Sequence, residues 1–154
     1  MSRRNQKLSS RTRGNSIVEF SLFMPWLIFL FAGAVDWGFY AYSLIATEAA
    51  ARVGVLYTST ASSTATDAAT ACTYALDQLR KLPNVGDGIS ACASGSSVSS
   101  TAPVAISATS ITGPDGSSAA QLSVSYLTPR LIPIPGLLPG QLTITRTVQM
   151  KVRS

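Results

Sequence analysis

The hydrophobic rhythm of the chain changes several times. Between Ile17 and Tyr42 the only charges are Glu19 and Asp36, and Phe20 to Val35 reads FSLFMPWLIFLFAGAV without one. A membrane span needs about 20 mainly apolar residues. Ile17 to Phe39 has that length, with the two acids near its ends. Helix formers continue from Ser43 to Tyr57. There Glu48 and Arg52 form an i,i+4 pair, and Ile45, Ala49, Val53 and Leu56 mark an apolar stripe. This predicts one helix from Asn15 to Tyr57, roughly 65 Å long at 1.5 Å per residue, whose outer half turns the stripe toward the rest of the chain. Pro25 removes a backbone hydrogen bond and is expected to kink the span.

Further on, Thr58 to Ala65 reads as a Ser/Thr linker. Thr66 to Leu82 reads as a second helix, with Ala69, Cys72, Leu76 and Leu79 on one face and Pro83 after its end. Asn84 to Ser100 is a Gly/Ser loop carrying Cys92. The period then drops to two: Val104, Ile106 and Ala108; Leu122, Val124 and Tyr126; Leu142, Ile144, Val148, Met150 and Val152. Gly113-Pro114-Asp115-Gly116 is a turn signal between the first two runs. The expectation is an α+β fold, with two helices covering a small antiparallel sheet of about three strands. Thr128 to Gly140 carries four prolines among Leu and Ile, so it is neither helix nor central strand. It is a rigid loop over the core, or an apolar surface for another component centred on Leu137 and Leu138.

Charge gives the apolar run its setting. The 154 residues carry a net +5. Arg3, Arg4, Lys7, Arg11 and Arg13 supply it all, because the other seven bases balance the seven acids. A basic stub before an apolar span lies in the cytoplasm by the positive-inside rule. Trp37, Tyr40 and Tyr42 suit the opposite interface. A buried helix of a soluble protein would leave the five bases without a role. A nucleic-acid protein keeps its basic residues on the folded body, so no nucleic-acid partner is expected. There is no histidine, which removes histidine-based nucleophilic triads and the commonest transition-metal ligand. Two cysteines alone cannot complete a zinc site. Asp67, Asp77, Asp87 and Asp115 fall in no recognisable catalytic pairing. The expectation is a protein that is not an enzyme, with no cofactor, metal or small-molecule substrate.

Three readings of the N-terminus fit this pattern. A signal peptidase could cut after the Ala32-Gly33-Ala34 stretch and release a soluble, disulfide-bonded binding protein starting at Val35. The span could stay as a plain anchor. Or a pilin-type peptidase could cut on the cytoplasmic side, after Gly14, and leave the span as the mature N-terminus. A carboxylate one turn inside an apolar helix is costly unless paired. Cleavage after Gly14 would place a new ammonium at Asn15, four residues before Glu19 and on the same helical face. Without cleavage, Glu19 is an interfacial residue reaching water.

The residues Gly14, Val18-Glu19-Phe20, Pro25, Gly33, Asp36, Gly38 and Ala49-Ala50-Ala51-Arg52 resemble the N-terminal region of TadE-like proteins. These are minor pseudopilins of the tight adherence (Tad/Flp) pilus machinery. The family often has a second arginine soon after the first, where this chain has Val53-Gly54-Val55-Leu56. The V-x-V-x-Y strand, the proline-containing connection and the long last strand resemble the family too. The resemblance implies a pilin-like fold and a role in assembling or initiating an adhesive pilus. It implies processing by a prepilin peptidase, and as partners other minor pseudopilins, the major Flp pilin and inner-membrane platform proteins. The expected organisation is a cytoplasmic leader over 1–14, an inner-membrane span over 15–42 and a periplasmic domain over 43–154. Cys72 and Cys92 would then lie in an oxidising compartment, which favours a disulfide; one buried and one exposed thiol is the alternative.

Overall fold

The computed structural model describes residues 13–86, 88–89, 91–130 and 140–153. The leader up to Thr12, Asp87, and the segment 131–139 with Leu137 and Leu138 lie outside the described residues. The chain divides into two compact units, Met1–Gly38 and Phe39–Ser154, and the boundary falls within a helix.

That helix, α1, runs from Arg13 to Thr58 and stays helical through Pro25. Ser43, Thr47 and Thr58 are buried without breaking it, because each hydroxyl donates to a carbonyl of the preceding turn: Ser43 to Phe39 O (2.9 Å), Thr47 to Ser43 O (2.7 Å) and Thr58 to Val55 O (3.2 Å). The second helix, α2, is Ala68–Leu79. It is shorter than the expected Thr66 to Leu82 because Asp67 caps it, its carboxylate accepting the Thr70 N–H at 3.1 Å.

The sheet has the order β1-β2-β3-β4, from Ala93–Ser94, Val104–Thr112, Ser118–Leu127 and Thr143–Lys151. The three long strands are antiparallel, as the period-two runs predict. The loop before them adds β1, a two-residue strand parallel to β2, too short to show a period. Gly113–Gly116 makes the β2–β3 turn. Gly116 takes φ 73°, and Asp115 Oδ1 accepts from the Ser117 N–H and Oγ. Even-numbered residues of the long strands share one face, with Ile106 opposite Val124 and Tyr126 opposite Ile144. On that face Ala50, Ala51 and Val55 of α1 meet Ala71, Cys72, Ala75, Leu76 and Leu79 of α2, with Leu82 and Val85 after it. Ala69, placed on the buried face from the sequence, is exposed instead. The opposite sheet face is polar, with cross-strand bonds Ser123–Thr147, Ser125–Thr145 and Gln149–Gln121.

The stripe expected to pack, Ile45, Ala49, Val53 and Leu56, is corrected. Ile45 is 69% exposed and Leu56 54%. The buried face is Ser43, Thr47, Ala50, Ala51, Gly54, Val55 and Thr58. Close approach decides this: a Cβ at Gly54 would sit 2.4 Å from Leu122 Cδ2. The small residues face the sheet and the large apolar ones are turned away. Thr58 to Ala65 is not a free linker either. Ser59 and Ala65 are buried, and Thr64 Oγ1 donates to Ala61 O at 2.9 Å.

Leu122 is fully buried and cannot swing aside. Gly54→Leu is therefore expected to destabilise the protein by about 1–3 kcal/mol through overpacking, despite leucine's better helix propensity. Gly38, where a Cβ meets nothing within 4 Å, should accept alanine without loss. Thermal unfolding in detergent of the two variants checks the contrast.

Candidate functional site

The candidate site is the first unit's part of α1. A helix in water buries one stripe; this one buries almost none. Among the described residues one helix, Ser16–Thr58, is long and apolar enough to cross a membrane, and none of its most apolar window is buried within the chain. Ile17 is 72% exposed, Leu22 80%, and Phe20, Phe23, Trp26, Ile28 and Phe31 are exposed around the circumference. Phe29 and Trp26 stack with ring centroids 6.4 Å apart. Apolar surface on every side of a helix is what lipid or a helix bundle covers, and water does not.

Polar groups on this stretch are few. The Ser21 hydroxyl donates back to Val18 O at 2.8 Å, so it adds no unmet donor. Glu19 is exposed. Gly14 and Asn15 lie in the first turn of α1, and Asn15 precedes Glu19 by four residues, so their backbone positions share a helical face. Pro25 lies inside the helix. Asp36 is 4% exposed, and its Oδ2 is the one buried side-chain oxygen without a hydrogen-bond partner among the described residues. The sequence places it near an end of the apolar run, and spacing had no means of finding its burial. Of the aromatic residues assigned to the outer interface, Trp37 and Tyr42 are exposed, while Tyr40 packs on the core of the second unit.

Cys72 and Cys92 form a disulfide with Cα atoms 5.9 Å apart. It ties α2 to the segment leading into β1. Beside it lies a cleft of about 300 Å³, lined by Ala68, Ala69, Ala93 and Ile106 as well as the two cysteines; it has no titratable side chain. Among the described residues no three His, Cys, Asp or Glu side chains gather as a metal site would require.

Two polar nodes escaped the sequence reading. Tyr126, fully buried, donates its hydroxyl to Asn84 Oδ1, and Asn84 Nδ2 donates to Leu127 O at 2.7 Å. Burial pushes the Tyr126 phenol above its ordinary range. Asp67 accepts from Tyr57 Oη at 2.9 Å as well as from Thr70. The Thr70 hydrogen bond first, then Tyr57, holds its carboxyl below the usual value. Asp115 is lowered by Ser117 first, then by Lys151 Nζ at 2.9 Å.

The chain was compared with known proteins. Residues 14–56 match the family model described as TadE-like protein. The match covers most of α1 and none of the second helix or the sheet. No curated protein and no solved structure matches the chain.

Two predictions follow from this geometry. Cys72→Ala with Cys92→Ala opens a loop of sequence separation 20, and denaturant unfolding should show a loss of about 3 kcal/mol. Asp67 and Asp115 have folded pKa values below their unfolded ones. Their stabilisation is complete above the unfolded value of 3.8 and is lost as pH falls through the folded values. Melting temperature measured downward from pH 6 should therefore drop below about pH 4. Asp67→Asn with Asp115→Asn, which retains a capping side chain, should flatten that drop. The apolar stretch of α1, with Gly14, Glu19 and Pro25, lies in the matched region, and over residues 14–56 the chain is similar to TadE-like proteins.

Proposed function

We propose that the chain is a single-span minor pseudopilin of a Tad/Flp-type pilus, acting in assembly or initiation of the fibre. The observation that carries this is the TadE-like match on a helix whose apolar surface is exposed all round. The proposed role is mechanical and interfacial, not enzymatic. The basic leader holds the N-terminus in the cytoplasm of a bacterial cell, the span sits in the inner membrane and the α+β unit lies in the periplasm. A prepilin peptidase cuts after Gly14. This removes all five leader charges and frees an ammonium at Asn15.

The mature helix then moves sideways from lipid into a helix bundle. In lipid, packing and paired polar groups drive association, because hydrophobicity is already satisfied. Glu19 sets the register by pairing with an N-terminal ammonium, its own or a neighbour's. Pro25 gives the span a bend, tolerated because neighbouring helices can meet the freed carbonyl. Leu137 and Leu138 offer an apolar contact to a neighbouring component. The proposed partners are the prepilin peptidase, other minor pseudopilins, the major Flp pilin and platform proteins of the inner membrane. The disulfide fits an oxidising periplasm.

The alternative is a secreted soluble binding protein released after Ala34. Mass spectrometry of the protein from its native host separates the two. The expected mature N-terminus is Asn15. A start at Val35 means secretion, and an intact Met1 or Ser2 means a plain anchored protein. Given cleavage at Gly14, Glu19→Ala should leave the subunit in the membrane at its usual level and reduce its incorporation into the assembly at least tenfold.

A further inference from the structure

Among the described residues the last strand is an edge of the sheet, with a groove beside it. Val152 N–H donates to Ser118 O and Thr128 N–H to Leu142 O, so even-numbered residues of this strand direct their backbone groups toward β3. The odd-numbered residues Thr143, Thr145, Thr147, Gln149 and Lys151 direct theirs away from the sheet. At the next odd position, Arg153 N–H reaches Ser59 O at 2.9 Å, and Ser59 Oγ meets Met150 Sδ at 3.1 Å. The end of α1 thus closes the edge there. Before that point the helix and the strand leave a groove of about 510 Å³ between them. Val55, Leu56, Val148 and Met150 form its apolar part, and Glu48, Arg52, Thr147 and Gln149 its polar part.

Charge narrows what can lie there. Every charged residue from Thr143 to Arg153 is basic: Arg146, Lys151 and Arg153. Lys151 is paired with Asp115, and Glu48 is neutralised by Arg52 at 2.6 Å. Arg146 and Arg153 are exposed and have no ion pair among the described residues. A second copy would bring the same basic charges against them, which is unfavourable. A strand with carboxylates meets them favourably, and its backbone satisfies the row of unpaired groups.

We infer that the free edge of β4 is a docking site for an extended acidic segment of a different protein. The segment adds a fifth strand to the sheet. Its alternate apolar side chains enter the groove beside Leu56, Val148 and Met150, one carboxylate on that same face meets Arg146, and a carboxylate on the opposite face meets Arg153. The inference stands apart from the pilus reading, since it uses no residue of the span.

The test is backbone hydrogen exchange on the full chain in detergent micelles. The probe is a nine-residue peptide whose groove-facing alternate positions are valine except for one glutamate placed to meet Arg146, with glutamate and threonine between them, N-methylated along one edge to stop self-pairing. A counterpart carries lysine for glutamate. The acidic peptide should slow exchange of the five odd-numbered amides at least tenfold, and the lysine peptide should not. Thr147→Pro removes an outward N–H without a ladder bond, and should keep the melting temperature while weakening the acidic peptide at least tenfold. If that variant does not fold, Arg146→Glu with Arg153→Glu still decides, because it should reverse the preference between peptides. The inference is overturned if neither peptide protects the edge at millimolar concentration, or if both protect it equally. It is also overturned if the amides are already protected without peptide, by self-association or the chain's own segment, or if vesicles of anionic lipid protect them in place of the peptide.

Discussion

Gly54 sets how closely α1 can approach the sheet, and most of the second unit depends on that distance. A side chain there would run into Leu122, one of the fully buried residues of the middle strand of the long three. The helix therefore presents its narrow face, Ala50, Ala51 and Gly54, with Val55 fully buried beside them and Tyr40, Leu44 and Tyr57 partly buried against the same core. Ser43, Thr47 and Thr58 can join that face because their hydroxyls are spent on the helix's own carbonyls. A helix packed through small residues buries little area per turn, so the core is small and needs help. The disulfide restrains one side of it, and the Tyr126–Asn84 node pins the turn after α2 to the end of β3.

The same packing leaves the large apolar residues of the outer helix uncovered. Ile45 and Leu56 are exposed in the second unit for a steric reason, the closeness of the helix to the sheet. Apolar surface in the first unit is exposed on every side of the helix, and among the described residues none of its most apolar window is buried.

Polar groups on a span act as selective markers, since each one costs energy in lipid until it is paired. Glu19 and Asp36 bracket the apolar run, but the structure treats them differently. Glu19 is exposed near the start of α1. Asp36 is buried with one oxygen unmet. Two acids of similar chemistry thus sit in different surroundings, one exposed and one withdrawn from solvent.

The sequence by itself determined the elements whose signal is local. The apolar run sufficed for α1, and the period-two runs for the three long strands with their Gly113–Gly116 turn. The pairing of the two cysteines was legible from compartment chemistry. Tertiary structure alone decided which face of α1 is inside. Periodicity marks where large apolar residues recur, and here packing chose the face where they do not, because Leu122 fills the space a side chain at position 54 would need. It also decided the Asn84–Tyr126 node, the burial of Asp36 and, among the described residues, the edge position of β4. Each depends on residues far apart in the chain meeting in space, and no local pattern encodes that.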